Sequence, residues 1–112
     1  MKDDRLYLVH IRECIERIED YTVDGRSIFM ESPLIQDAVT RNLQTMAEST
    51  QRLSDTLKEQ HPDVEWYKIA GLRNVLVHDY LAVDLVRVWN AVVQDLPAFK
   101  RTVLEILEGL KR

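Results

Sequence analysis

The residue types best suited to carry out chemistry in this chain lie together between positions 72 and 80. The stretch reads Leu-Arg-Asn-Val-Leu-Val-His-Asp-Tyr, so reactive polar side chains interrupt otherwise apolar sequence. The imidazole of His78 can take or give a proton near neutral pH. The guanidinium of Arg73 is permanently charged, and its planar fork fits phosphate oxygens. The stretch therefore suggests acid–base chemistry with charge stabilisation, and the remaining sequence reads as scaffold.

The spacing of these side chains limits how one helix can present them. Arg73 and His78 are five residues apart, and at 3.6 residues per turn they point about 140° away from each other. Asn74 and His78 share a face, and Tyr80 can approach His78 if the helix ends near Asp79. We therefore expect His78 at a helix terminus, with Arg73 reaching round on its long stem or facing a second copy of the chain. The predicted site is a pocket at a helix end or a subunit seam.

A purely structural role would explain the same residues. Arginine and histidine late in a helix interact favourably with its negative end, and asparagine or aspartate beside them can cap the helix or form a turn. Clustered polar groups also occur in ion-pair networks. From composition alone, this structural role is the commoner one.

Length and composition define one ordinary domain, residues 1–112, without a linker, low-complexity tract or repeat to mark a boundary. Cys14 is the sole cysteine, which excludes an internal disulfide and suits a reducing cytosol. The formal charge of -4 argues against broad coating of nucleic acid, but a small basic site is compatible with it. The start of the chain lacks a signal-peptide layout, and no apolar run approaches the ~18 residues of a membrane span. We expect a soluble, cytoplasmic protein with no membrane contact.

Apolar residues recur at alternating spacings of three and four, and no segment alternates with period two, which predicts an all-α fold. The first helix is capped by Asp3 or Asp4 and ends at Asp24-Gly25. The second starts at Ser32-Pro33 and runs unbroken to Lys58, roughly 40 Å at 1.5 Å per residue. The predicted stripe of the first helix is Leu8, Ile11, Ile15, Ile18 and Thr22. That of the second is Ile35, Val39, Leu43, Met46, Thr50, Leu53 and Leu57.

Two further helices complete the prediction of an up-and-down bundle of four main helices. The third is capped by Asp63 or a neighbour and is apolar on more than one face, so it lies centrally or at an interface. Gly71 within it costs helix stability, and a closely approaching neighbour would compensate. The fourth is capped by Asp84 and is interrupted at Pro97, which predicts a kink or a tight restart.

Several segments in order resemble the HepT family of HEPN toxins over about residues 35–107. The core of the resemblance, an arginine followed after four residues by His-x-Tyr, is fairly specific in this setting. One departure is Ala47, where the family usually has glycine before the glutamate. The matching segments are Ala38-Val39-Thr40-Arg41-Asn42-Leu43, Ala47-Glu48, Trp66, Gly71 to Tyr80, Val83-Asp84, Trp89 and Asp95-Leu96-Pro97.

The resemblance implies a metal-independent endoribonuclease, the toxin of a type VII-like toxin–antitoxin pair acting on tRNA or mRNA without a cofactor. It implies that Arg73 and His78 are catalytic and that Tyr80 is modified with AMP groups from ATP by a nucleotidyltransferase antitoxin. It also implies a homodimer with the motif at the subunit cleft, which agrees with the geometry above. Asn74, on the face of His78, could orient the imidazole or hydrogen-bond the sugar.

Other functions were weighed against this one. The main alternative is a catalytically inactive HEPN dimer that binds a nucleotidyltransferase or a nucleotide. His78-Asp79 resembles the dipeptide of metal-dependent HD phosphohydrolases, but that site needs an upstream histidine and a distant aspartate in a larger domain. We expect His10 and His61 to be surface or cap residues and Cys14 to be an inert, partly buried thiol. Trp66 and Trp89 are expected to be packing anchors.

Overall fold

The computed structural model describes residues 3–78, 81 and 83–111, and it confirms the all-α class for this part of the chain. No helix within the described residues is both long enough and apolar enough to cross a membrane. The elements in order are α1 (Asp4–Tyr21), α2 (Arg26–Glu31), α3 (Pro33–Gln51), α4 (Asp55–Gln60), α5 (Trp66–His78), α6 (Leu85–Asn90), a π-helical turn (Ala91–Asp95) and α7 (Leu96–Leu110).

Helices α1 and α3 run antiparallel and form the centre of the bundle. Asp4 at the start of α1 contacts Ser54 just beyond α3, and Cys14 further along α1 contacts Thr45, earlier in α3. The four apolar residues of the stripe predicted for α1 are fully buried, whereas Thr22, its last member, is only partly buried and caps the end of the helix. The stripe predicted for α3 is buried or packed against the core. The periodicity of apolar residues therefore located the contact faces of both helices.

Helices α5 and α7 close the bundle around this pair. Lys100 of α7 donates to Glu19 at the end of α1 at 2.8 Å, and α5 packs along α3. Trp66 at the start of α5 meets Phe99 of α7 edge to face, with ring centroids 6.2 Å apart. The indole N–H of Trp66 also donates to the His61 carbonyl at 3.1 Å, and Trp66 is thus a packing anchor as predicted.

The predicted unbroken helix from Ser32 to Lys58 is wrong, because the chain leaves the helix between Arg52 and Ser54. The amide and hydroxyl of Ser54 donate to the Asp4 carboxylate at 2.8 and 2.6 Å. An amide held by Asp4 cannot also donate to a carbonyl four residues earlier in α3. Ser54 then caps α4, its hydroxyl accepting from the Leu57 amide. A tertiary contact therefore breaks a helix that the local sequence would have continued.

Helix α2 occupies part of the connection that was expected between the first two helices. It begins after Gly25, whose φ of 92° suits glycine. Its buried Phe29 stacks at a tilt on Trp89 of α6, with ring centroids 5.3 Å apart. This short helix therefore buries an aromatic ring of the connection against α6.

The irregularity predicted at Pro97 is a π-helical turn followed by a restart. The turn spans Ala91–Asp95, and Pro97 lies in the first turn of α7, where no amide hydrogen bond is lost. The stripe continues across it, since Val92, Leu96 and Val103 are all buried. The close neighbour expected at Gly71 is not found among the described residues, because a Cβ there would have no atom within 4 Å.

Candidate functional site

The side chain of Arg73, on α5, contacts one carboxylate from α3 and one side-chain amide from α5 itself. Its Nη2 lies 3.6 Å from Oε2 of Glu48, and its Nη1 donates to Oδ1 of Asn74 at 3.3 Å. Gln44 in turn donates to the same Glu48 oxygen at 3.3 Å, from the preceding turn of α3. Buried Leu76 fixes the rotation of α5 that brings Arg73 to this place. The result is a guanidinium supported across two helices.

The third nitrogen of this guanidinium lacks a hydrogen bond. Nε of Arg73 is buried and has no acceptor among the described residues. An unsatisfied donor on a charged group is costly, so such an atom usually has a partner in the functional state. A cleft of ≈ 430 Å³ opens beside it, lined by Glu48, Gln51, Arg52 and Arg73. Arginine stays charged and offers its donors to oxygen, so a cleft with two arginines in its lining is a candidate for binding an anion.

His78 lies outside this cleft. It is the last described residue of α5 and is exposed to solvent. The next two residues lie outside the described ones, so the helix end expected at His78 stays a prediction. Five helical positions separate it from Arg73, a rise of about 7.5 Å and a rotation of about 140°. Among the described contacts, none brings the two side chains together in one protomer. Asn74, also exposed, hydrogen-bonds Arg73, and Asp79 and Tyr80 lie outside the described residues.

A second polar cluster links α1 and α3 inside the bundle. Nδ1 of His10 lies 2.6 Å from Oγ of Ser49, and Nε2 of His10 lies 3.6 Å from Sγ of Cys14. Cys14 also contacts the Thr45 hydroxyl at 3.4 Å. The expectations of a surface His10 and a partly buried Cys14 are therefore wrong, since His10 is half-buried within a network and Cys14 is completely buried. These partners satisfy one another and give the cluster a structural role.

The start of α5 holds an exposed ion pair between Glu65 and Lys68, 3.0 Å apart. The hydrogen bond from Lys68 holds the pKa of Glu65 below its usual value, and the same bond raises the pKa of Lys68. Solvent screens such a pair, so it contributes little beyond local helix stability. Within residues 3–78, 81 and 83–111, no group of three or more potential ligands is arranged to hold a metal ion.

The sequence alone did not single out the residues that share the cleft with Arg73. Glu48 is part of the family resemblance only, and the sequence pattern predicts Gln51 and Arg52 within a continuous helix. The helix break at Arg52 changes that placement, because it ends α3 beside the cleft.

The described residues thus form an all-helical fold with a cleft that two arginines line, where α3 meets α5. A model of the ribonuclease HepT-like family matches residues 11–106, and the chain belongs to that family. The resemblance inferred from the motif is thereby confirmed at the level of the family. No solved structure matches the chain.

Three relatives illustrate the range of the family. A Methanocaldococcus jannaschii protein named "Gamma-glutamylcyclotransferase and putative RNase" is 37% identical over 112 residues, 99% of this chain and 50% of that protein. The chain thus spans about half the length of this relative. A Caldanaerobacter subterraneus subsp. tengcongensis "Putative RNase" is 33% identical over 115 residues, 99% of this chain and all of that protein. A Thermococcus cleftensis "Probable ribonuclease HepT" is 36% identical over 98 residues, 84% of this chain and 86% of that protein.

Proposed function

We propose that this protein is a metal-independent endoribonuclease, the toxin of a type VII-like toxin–antitoxin pair, with Arg73 and His78 as its catalytic residues. The observation that carries the proposal is the Arg73 guanidinium, a partly exposed cation that Glu48 orients at the wall of an open cleft. Family membership and relatives named as RNases support RNA as the substrate. Within RNA, the group that a guanidinium binds best is the phosphate.

RNA contains its own nucleophile, so the protein needs to supply only proton transfer and charge stabilisation. The 2′-oxygen forms a bond to phosphorus, the bond from phosphorus to O5′ breaks, and one proton passes from the 2′-hydroxyl to the departing oxygen. The exposed imidazole of His78 is suited to move that proton, an effect typically worth ~10²–10⁴-fold. Arg73 stabilises the negative charge that develops on the phosphate oxygens. The products are a 2′,3′-cyclic phosphate and a 5′-hydroxyl.

The active form in this proposal is a homodimer whose site draws residues from both protomers. Arg73 faces α3, whereas His78 lies about 140° further round α5, so a second chain is the simplest way to bring an imidazole to the cleft. Helix α5 also has the surface for such contact. Among its residues Leu76 is buried, while several other apolar residues are only partly covered and Tyr67 is 71% exposed. Gly71 leaves open space along the same helix.

Tyr80 is the residue through which the antitoxin acts in this proposal. A nucleotidyltransferase transfers AMP from ATP to its hydroxyl, with release of pyrophosphate and formation of a phosphodiester. Each added AMP brings negative charge and bulk close to His78, two positions earlier in the chain. Repulsion of RNA phosphate and filling of the site would then silence the nuclease.

The test is cleavage of RNA by the purified protein with and without EDTA. We expect EDTA-resistant cleavage that leaves 2′,3′-cyclic phosphate ends, identified by mass spectrometry of the fragments. Arg73→Ala and His78→Ala should each abolish it while retaining the helical circular dichroism of the wild type. Complete loss of wild-type cleavage in EDTA would contradict the metal-independent mechanism. A folded His78→Ala protein that still cuts RNA would point to the inactive-module alternative and a contaminating nuclease.

A further inference from the structure

We infer that Arg52 forms a second phosphate subsite beside Arg73 and binds an RNA phosphate that neighbours the one being cleaved. The inference rests on the proposed ribonuclease function. It adds a substrate-binding residue that neither the motif nor the family resemblance identifies, and it follows from the break between α3 and α4.

The helix break places Arg52 at the cleft and leaves its side chain without a role in capping. As the C-cap of α3, Arg52 uses only its backbone amide, which donates to the Ser49 and Thr50 carbonyls. At the break, Ser54 binds Asp4 through its amide and hydroxyl, and neither bond involves the side chain of Arg52. Arg52 lines the cleft together with Arg73 and is exposed to solvent. Its guanidinium is available to a ligand.

The charge of the cleft depends on Arg52. The Glu48 carboxylate beside Arg73 offsets the charge of that guanidinium, which would leave the cleft neutral without a further cation. Arg52 gives the four lining residues a net charge of one positive unit, from two arginines and one glutamate. In a chain whose formal charge is -4, a local positive site is what permits an RNA strand to approach.

The donors at the cleft outnumber their acceptors within the described part of the chain. There, the exposed side chains of Arg52 and Gln51 make no hydrogen bond or ion pair, and the Arg73 guanidinium is engaged only by Glu48 and Asn74. The cleft volume of ≈ 430 Å³ falls within the ~300–1,000 Å³ typical of ligand sites. It therefore has room for more than a single phosphate. A polyanion with successive phosphates matches this set of donors, since each guanidinium can bind one phosphate.

The experiment measures binding of a fluorescent single-stranded RNA that is 2′-O-methylated, so that internal attack cannot cleave it. Kd is determined by anisotropy across a series of salt concentrations for wild type, Arg52→Gln and Arg41→Gln. Arg41 is an exposed arginine of the same helix that does not line the cleft, so its substitution is a control for net charge. Arg52→Gln should weaken binding about tenfold and lower the slope of log Kd against log salt by ~0.7 to 1, the value for one lost phosphate contact.

Two further variants separate a binding role from a structural one. Arg52→Lys should recover part of the affinity because it keeps the charge, and Gln51→Glu should weaken binding as Arg52→Gln does because it cancels the positive charge of the cleft. On cleavable RNA, Arg52→Gln should raise KM more than it lowers kcat. If wild type cleaves RNA and Arg52→Gln behaves like Arg41→Gln, this inference alone is overturned. If wild type neither binds nor cleaves RNA, both proposals are overturned.

Discussion

Oε2 of Glu48 lies 3.6 Å from Nη2 of Arg73, and this contact joins α3 to α5 at the wall of the cleft. The separation exceeds the 2.7–2.9 Å of a strong charge-assisted hydrogen bond, and both side chains are partly exposed. The contact therefore orients the guanidinium but does not form a strong hydrogen bond with it. This geometry is compatible with the proposed binding of a phosphate by Arg73.

Replacing Glu48 should impair catalysis more than stability. We expect Glu48→Gln to lower kcat/KM about tenfold, because Arg73 loses the group that holds it toward the cleft. The free energy of unfolding should change by less than ~1 kcal/mol, since partly exposed ion pairs contribute little. Glu105→Gln, an exposed position on α7, is the matched control. An increase in cleavage would instead show that Glu48 competes with the substrate phosphate.

The composite site predicts complementation between two inactive variants. In a heterodimer of Arg73→Ala with His78→Ala, one of the two shared sites contains both wild-type residues. Mixing or coexpressing equal amounts of the two variants should therefore restore up to about a quarter of the wild-type cleavage rate per dimer, because random pairing makes about half of the dimers heterodimers and each of these has one complete site. A site formed within one protomer would leave the mixture as inactive as its components, and this result would refute the shared arrangement while leaving ribonuclease activity intact.

The proposed inactivation through Tyr80 predicts an escape variant. Tyr80→Phe lacks the hydroxyl that accepts AMP, so it should remain toxic in cells that also make the nucleotidyltransferase. Mass spectrometry should find wild-type protein heavier by whole AMP units after coexpression with that enzyme, and Tyr80→Phe unchanged. The same experiment with Tyr67→Phe, an exposed tyrosine on α5, controls for loss of a hydroxyl elsewhere. Growth of the Tyr80→Phe strain equal to that of wild type would count against modification at this residue.

We expect Asp4 to stabilise the fold, although it lies near the start of the chain. Its carboxylate accepts from both the amide and the hydroxyl of Ser54, so Asp4→Ala leaves an amide without its partner where α3 is broken. We expect a loss of about 1–3 kcal/mol in the free energy of unfolding, measured with urea. Asp3→Ala removes only the cap of α1 and should cost about 1 kcal/mol. A loss below about 1 kcal/mol for Asp4→Ala would contradict a stabilising role of the Asp4–Ser54 contact at the break.

The strongest sequence pattern predicted most of the fold correctly. Residues such as Leu8, Ile15 and Val39 recur at helical spacing, and each is completely buried in the bundle. Caps were equally readable, since the Asp3, Ser32 and Asp84 side chains accept hydrogen bonds from the first turns of α1, α3 and α6. These features depend on neighbours within about four positions, which is the range over which sequence periodicity carries information.

The sequence predicted only some of the residues of the candidate site. The motif identified Arg73 and His78, but Gln51 and Arg52 had no pattern of their own. Their position at the cleft follows from a hydrogen bond between Asp4 and Ser54, which are 50 positions apart. Contacts at such separations leave no periodic trace, so local reasoning continued the helix through the break.

By itself, the amino-acid order determined that this chain folds into helices, where their buried faces lie, and which reactive groups it contains. Those outcomes follow from propensity, capping and spacing along a single helix. Only the tertiary structure decided that α3 stops at Gln51, that Glu48 meets Arg73, and that His10 and Cys14 turn inward. The physical reason is that each of these depends on a partner brought from a distant segment, and such a partner exists only once the bundle has packed.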